Sequence, residues 1–171
     1  MQVLSPKQLE LSLLRLAHQL AEDISDPADT IIIGLQPRGI FISDRIVKEV
    51  RNLLNAEVKY GKLDITFYRD DFRKELHHAN ATDIPFSIDN KKVILIDDVL
   101  YTGRTIRAAL DALTDFGRPV SVKLCVLVNR RFERELPIQP DFTGMTIDSV
   151  HSQKIKVNSE TGEVLMYSDQ N

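Results

Sequence analysis

The hydrophobic positions change period along the chain, and those changes mark out alternating helices and strands. Leu9, Leu13, Leu16 and Leu20 recur three or four apart, the spacing of one helical face. Ser5-Pro6-Lys7-Gln8 ahead of them offers a serine cap, a proline at the first helical position and the glutamine of a capping box. The spacing predicts a helix from there to just before Asp26-Pro27. Thr30 to Leu35, TIIIGL, is short, apolar and β-branched, the pattern of a strand buried on both faces. The turn Gln36-Pro37-Arg38-Gly39 leads into a second helical period at Phe41, Ile42, Ile46, Val47 and Val50. From Val58 a loose alternation through Tyr60, Ile65 and Phe67 predicts a strand that bends at Gly61.

Tyr68 to Asn90 is charged, turn-rich and without period, and a loop of that length in a compact domain is commonly a mobile functional segment. Val93 to Ile96 is again a buried strand, followed by a turn and a helix carrying Ile106, Ala109, Leu110 and Leu113, with Gly117 as its C-terminal cap. Val120 to Val128 is the last long strand. The rest reads as irregular, with short strand candidates near Ile155 and Val164. Alternating strands and helices point to an α/β fold, a mainly parallel sheet flanked by helices, and 171 residues suit one domain over 1–171.

Composition narrows the function classes. With 43% hydrophobic and 27% charged residues, neither disorder nor a fibrous repeat fits. No run of about 18 apolar residues exists and the N-terminus, MQVLSPKQLE, lacks a basic-then-apolar leader, so the expectation is a cytoplasmic protein with no membrane partner. The single cysteine, Cys125, excludes an internal disulfide and a cysteine-based zinc site; among valines and leucines it reads as a packed thiol. Twenty-two Lys+Arg against 25 Asp+Glu leave a formal charge of −3, which argues against general nucleic-acid affinity but leaves room for a local basic face.

The most informative stretch is Val93 to Thr105, VILIDDVLYTGRT. An apolar strand delivers two adjacent carboxylates, Asp97 and Asp98, to its C-terminal end, where ligands bind in open α/β sheets. The turn Tyr101-Thr102-Gly103-Arg104-Thr105 then opens a helix, whose N–H groups and dipole suit a phosphate. Two carboxylates beside a phosphate cradle suit ribose hydroxyls, with or without Mg²⁺. An ordinary strand-turn-helix explains the run poorly, because adjacent carboxylates repel unless something neutralises them.

This run resembles the phosphoribosyl diphosphate (PRPP) signature of the type I phosphoribosyltransferases, and the resemblance covers nearly the whole chain. Within that family the chain is similar to the branch that joins uracil phosphoribosyltransferase activity to RNA-dependent control of pyrimidine genes. Three stretches carry the narrower match: LDITFYRDD from Leu63, DALTDFGRPVSVKLCVLVNR from Asp111 and RELPIQPDF from Arg134. The resemblance implies a flexible loop, a small C-terminal hood, Mg²⁺ as cofactor, uracil, PRPP and UMP or UTP as ligands, pyrimidine-operon mRNA as a partner, and a homo-oligomer. Asp97 and Asp98 then hold the ribose hydroxyls and, directly or through PRPP, the metal. Tyr101, Thr102, Gly103, Arg104 and Thr105 wrap the 5-phosphate, and Pro37, Arg38 and Gly39 bind pyrophosphate. Arg69, within the loop that Tyr68-Arg69-Asp70-Asp71 begins, steadies the leaving charge. Arg38 also reads as a surface charge at a turn, Tyr68 as a strand-end aromatic, and Asp70-Asp71 as a solvated acidic tip.

The base pocket falls near Arg130 and within Ile147 to Ser152, including Val150. Purine-using relatives usually have a carboxylate where this chain has Tyr101; tyrosine is uncharged near pH 7, which favours uracil over hypoxanthine or guanine. Asn129 stands where the family often has aspartate, and Arg130 to Arg134 departs from the commoner glycine-and-histidine version. For RNA, the candidates are Arg15 with His18 on the first helix, and Arg130, Arg131 and Arg134 in the later segment; a solvated arginine face is the competing reading. His77-His78 is no metal pair, since adjacent side chains diverge.

Overall fold

The computed structural model describes residues 1–68 and 81–168. Elements in chain order are β1 (Gln2–Leu4), α1 (Pro6–Asp23), β2 (Thr30–Leu35), α2 (Gly39–Leu54), β3 (Lys59–Leu63), β4 (Lys92–Leu100), α3 (Arg104–Leu113), β5 (Ser121–Arg131), β6 (Phe142–Asp148), β7 (Gln153–Asn158) and β8 (Glu163–Ser168). Five of the strands form a sheet in the order β3-β2-β4-β5-β6, parallel throughout. A second, antiparallel sheet in the order β1-β8-β7 is the expected hood, with the first strand of the chain built into it.

Period-two alternation in the buried strands sorts the core onto two faces. Ile32, Ile94, Ile96, Cys125 and Leu127 pack with α1, α2 and the hood. Ile31, Ile33, Val93, Leu95, Leu124 and Val126 pack with Ile106, Ala109 and Leu113 of α3 on the other side. The leucine stripe of α1 is spent inside this core, since Leu9, Leu13, Leu16 and Leu20 are all buried. Its capping box forms as the residues require: Gln8 donates its backbone N–H to the Ser5 hydroxyl, and its side chain accepts from the Ser5 backbone N–H at 2.9 Å.

Several expectations need correction. Gly61 does not bend a strand: it stays in register with Ile33, and its missing side chain leaves room for Ile84 and Phe86. The strand ends at Leu63, and Thr66–Tyr68 forms a single 3₁₀ turn that leaves Phe67 exposed. Within the segment expected to be structureless, Asp83 bridges Lys62 and Ile84 and Ile88 are buried. Gly117 closes a 3₁₀ turn, Thr114–Phe116, that follows α3. β1 and β6 were not anticipated, and Leu110 is exposed. Among the described residues no helix is long and apolar enough to cross a membrane.

Candidate active site

The sheet order places a switch point at β2. From it the chain steps outward to β3 on one side and returns to β4 on the other. At such a point the loops leaving neighbouring strand ends diverge and open a crevice. The crevice lies where β2 gives way to the Gln36–Arg38 turn and β4 ends in Asp97-Asp98-Val99-Leu100, because Gly34 and Ile96 are partners in register.

Two glycines set how closely these pieces approach. A methyl on Gly34 would fall 2.1 Å from the Ser43 hydroxyl, so α2 sits directly on β2. A methyl on Gly39 would stand 2.8 Å from the Ile96 carbonyl oxygen and 3.3 Å from Asp97 Oδ1. The Pro37-Arg38-Gly39 turn is therefore pressed against the main chain that carries the carboxylate pair. The Gln36–Pro37 peptide is cis.

Asp97 and Asp98 are 6% and 7% exposed, at positions where two neighbouring negative charges are costly. Burial, and then the charge of Asp98, push the Asp97 carboxyl well above the usual carboxylate range. Burial raises Asp98 as well, and the positive charge of Arg38 pulls against it. Local backbone amides give partial relief: Asp97 Oδ1 accepts the Asp98 N–H at 2.9 Å, and Asp98 Oδ1 accepts the Val99 N–H at 2.7 Å. A charge pair held under this strain in a crevice marks a functional site better than it explains stability.

Beyond β4 the chain turns through Tyr101, Thr102 and Gly103 into α3. Gly103 has φ of +95°, a conformation that disfavours any side chain, and it caps the helix. The Arg104 N–H reaches back to the Thr102 hydroxyl at 3.3 Å, and Arg104 pairs with Glu135 at 2.6 Å. The turn thus brings Tyr101 through Thr105 together at one helix start beside the carboxylates.

Arg130, the last buried residue of β5, organises the opposite wall. It is 4% exposed, donates from Nε to Ser149 Oγ at 2.7 Å and from Nη2 to the Val150 carbonyl at 3.1 Å, and lies 3.8 Å from the Tyr101 ring centroid. Burial lowers its pKa from the ordinary arginine value, while Tyr101 and Glu133 counter that shift. The Tyr101 hydroxyl is 2.7 Å from His151 Nδ1, and that nitrogen is 3.5 Å from Glu133. The structure therefore gathers both expected base-pocket residues, Arg130 and Val150, around Tyr101. Ser149 and His151, both inside the expected Ile147 to Ser152 stretch, join them, and so does Glu133, which nothing local in the sequence singles out because its partner comes from another loop.

The RNA candidates are placed separately. Arg15 donates to the Gly144 carbonyl of β6, so α1 uses it to grip the sheet edge. Arg131 pairs with Asp148 at 2.6 Å, four residues farther along β6 and roughly 13 Å from Gly144. Arg134 is turned inward: it bonds the Tyr101 carbonyl, Asn129 Oδ1 at 2.6 Å and the Arg130 carbonyl at 3.4 Å. Tyr68 hydrogen-bonds Asp115, which raises the phenol pKa. Arg69, Asp70, Asp71, His77 and His78 lie outside the described residues. A groove of about 390 Å³ runs between β1, β6 and β8, and the carboxylate pair is no part of it.

A five-stranded parallel sheet with this carboxylate pair and turn is the architecture of a phosphoribosyltransferase, and the chain belongs to that family: the phosphoribosyl transferase domain matches residues 2–160. Among curated proteins, it is 44% identical over 157 residues to the bifunctional protein PyrR of a Picosynechococcus species, covering 91% of this chain and 88% of that one. It is 49% identical over 147 residues to the bifunctional protein PyrR of Latilactobacillus sakei, covering 84% and 82% respectively. Among solved structures, the hypoxanthine phosphoribosyltransferase of Trypanosoma cruzi superposes with a TM-score of 0.76 over 99% of this chain and 97% of that one. At 14% identity that likeness is one of fold.

Proposed function

We propose that this chain transfers the 5-phosphoribosyl group of PRPP to uracil, forming UMP and pyrophosphate, and that UMP or UTP in the same pocket tunes its binding to pyrimidine-operon mRNA. The observation that carries the transferase reading is the Asp97-Asp98 pair, buried at the end of β4 with Gly39 packed on one side and the Tyr101–Thr105 turn following on the other. In this reading Asp97 and Asp98 hold the ribose 2- and 3-hydroxyls. The turn receives the 5-phosphate, and Pro37, Arg38 and Gly39 receive the pyrophosphate. Uracil reacts as its N1 anion, the N1 proton having gone to solvent, and N1 forms a bond to the anomeric carbon as the bond to pyrophosphate breaks. Positive charge then develops on the ribose and negative charge on the leaving group. Arg38, and Arg69 outside the described residues, stabilise the latter.

The donor set suits Mg²⁺: two hard carboxylate oxygens held near one another, with no third acidic, histidine or cysteine ligand among the described residues, match a metal shared with substrate oxygens. When bound, Mg²⁺ offsets negative charge on the diphosphate. Tyr101, with Arg130 over its ring and its hydroxyl toward His151, places no carboxylate where a purine N7 would seek one, which supports uracil over hypoxanthine or guanine.

The RNA reading draws support from the far side of Arg130. Phe132 is 76% exposed with φ of +76°, a strained geometry for an aromatic residue, and the Arg131 guanidinium lies 5.4 Å from its ring centroid. An exposed ring beside an arginine suits stacking of an unpaired base. Turnover assays with PRPP, Mg²⁺ and uracil, hypoxanthine or guanine test the enzyme: uracil alone should react. Reaction with a purine only would overturn the base assignment. No reaction with any base, together with measurable UMP binding, would leave a regulator with vestigial catalysis. Filter retention of pyrimidine-leader RNA, with and without UMP, tests the second role; retention indifferent to UMP and to Arg131→Ala would overturn it.

A further inference from the structure

The segment after β5 fastens the phosphate turn from behind. Arg134 bonds the Tyr101 carbonyl while also holding Asn129 and the Arg130 carbonyl. The next two backbone amides, Glu135 N–H and Leu136 N–H, both donate to the Thr102 carbonyl, at 3.0 and 3.2 Å. Glu135 adds its ion pair to Arg104, and Leu136 Cβ lies 3.4 Å from where a side chain on Gly103 would begin. Successive carbonyls of the turn, at Tyr101 and Thr102, are thereby drawn toward one short stretch of chain.

The consequence lies in peptide geometry. The described peptides here are trans, so each C=O and the N–H across its bond point in opposite directions. Drawing the Tyr101 and Thr102 carbonyls toward residues 134–136 aims the N–H groups of Thr102 and Gly103 away from that segment. Consecutive N–H groups turned to one side, leading into a helix start, are the donor arrangement that binds anions. Arg134's three acceptors are neutral oxygens, so these bonds leave its positive charge behind the turn uncompensated by them.

We propose that Arg134 is a positioning residue for the 5-phosphate: with the Glu135 and Leu136 amides it locks the turn in its phosphate-binding orientation. Arg134 is thus a brace within the protein, in place of the RNA contact expected from its sequence. The proposal rests on the phosphoribosyl reading of this turn.

Calorimetric titration of wild type, Arg134→Lys and Arg134→Gln with ribose 5-phosphate and, separately, with pyrophosphate tests it, with thermal unfolding run on each protein. Both variants should bind ribose 5-phosphate about tenfold or more weakly, the size of losing a charged hydrogen bond, while pyrophosphate affinity stays within about twofold. In turnover the loss should fall on the KM for PRPP with kcat held, because the 5-phosphate is gripped alike in ground and transition states. Unchanged ribose 5-phosphate affinity in both variants would overturn the brace, and so would equal losses for both ligands, which mark a general loosening of the fold. Wild-type protein that binds neither ligand would overturn the phosphoribosyl reading itself, and the brace with it.

Discussion

Replacing Gly39 by alanine tests whether the crevice is built by close packing of the Pro37-Arg38-Gly39 turn on β4. The added methyl would sit 2.8 Å from the Ile96 carbonyl oxygen and 3.2 Å from Asp97 Cα, both main-chain atoms that cannot swing aside. Ordinary contacts of carbon begin near 3.5 Å, so the start of α2 must retreat by roughly 0.3–0.7 Å, about half an ångström in the middle of that range. Overpacking of this kind costs about 1–3 kcal/mol, and the better helix propensity of alanine returns at most about 1 kcal/mol. The net loss is then about 0–3 kcal/mol, a fall in Tm of up to about 12 °C for a chain of this length. Function should suffer more than stability. A 1 Å misplacement at a reacting centre costs roughly a hundredfold, so half of that predicts roughly tenfold lower kcat/KM for PRPP. Thermal unfolding and steady-state kinetics on the same preparation measure both. Wild-type kinetics with an unshifted Tm would refute the packing argument.

The remaining predictions concern the rest of the strand ends and core. Asp98→Asn should abolish turnover while keeping the fold, and an active variant would sink the assignment of the pair. Asp97→Asn should raise the Tm at pH 8. Its carboxyl is raised by burial, so the stability tied to protonation is full below the unfolded carboxylate pKa and lost as pH rises through the folded one. The gain should shrink toward pH 4, and a gain that grew on acidification would contradict this sign. Gly34→Ala, which sets a methyl 2.1 Å from Ser43 Oγ and 2.9 Å from its Cβ, should lower the urea midpoint by the equivalent of about 3 kcal/mol. An unchanged midpoint would mean α2 yields easily. Cys125 is fully buried and its thiol is pushed up to about 12, so it should resist an aromatic disulfide reagent until the protein unfolds. Rapid labelling of native protein would place it elsewhere.

The elements that sequence made plain are those whose reasons are local. The capping box at Ser5–Gln8, the leucine stripe of α1 and the β-branched run of β2 each contain their own partners or their own period. β6 carries little local signal because FTGMTID is an edge strand, half polar, with Gly144 tucked against Leu127; its strand character comes from β5. β1 is three residues long and exists because β8 pairs with it. The segment around Ile84 and Ile88 showed no period because single residues reach the core from irregular chain.

For the site the division is the same. VILIDDVLYTGRT alone determined the strand, the carboxylate pair and the turn into α3, since a buried strand ending in two acids and a glycine-bearing helix start depend on short-range chemistry. Only the tertiary structure decided that Gly39 seats against Asp97, that Arg130 stacks on Tyr101, and that Arg134 turns inward to the Tyr101 carbonyl rather than outward to solvent. In the sequence Arg130, Arg131 and Arg134 look alike. What separates them is which backbone carbonyls and carboxylates from distant loops lie within hydrogen-bond reach, and the packing of β4, β5 and β6 sets that.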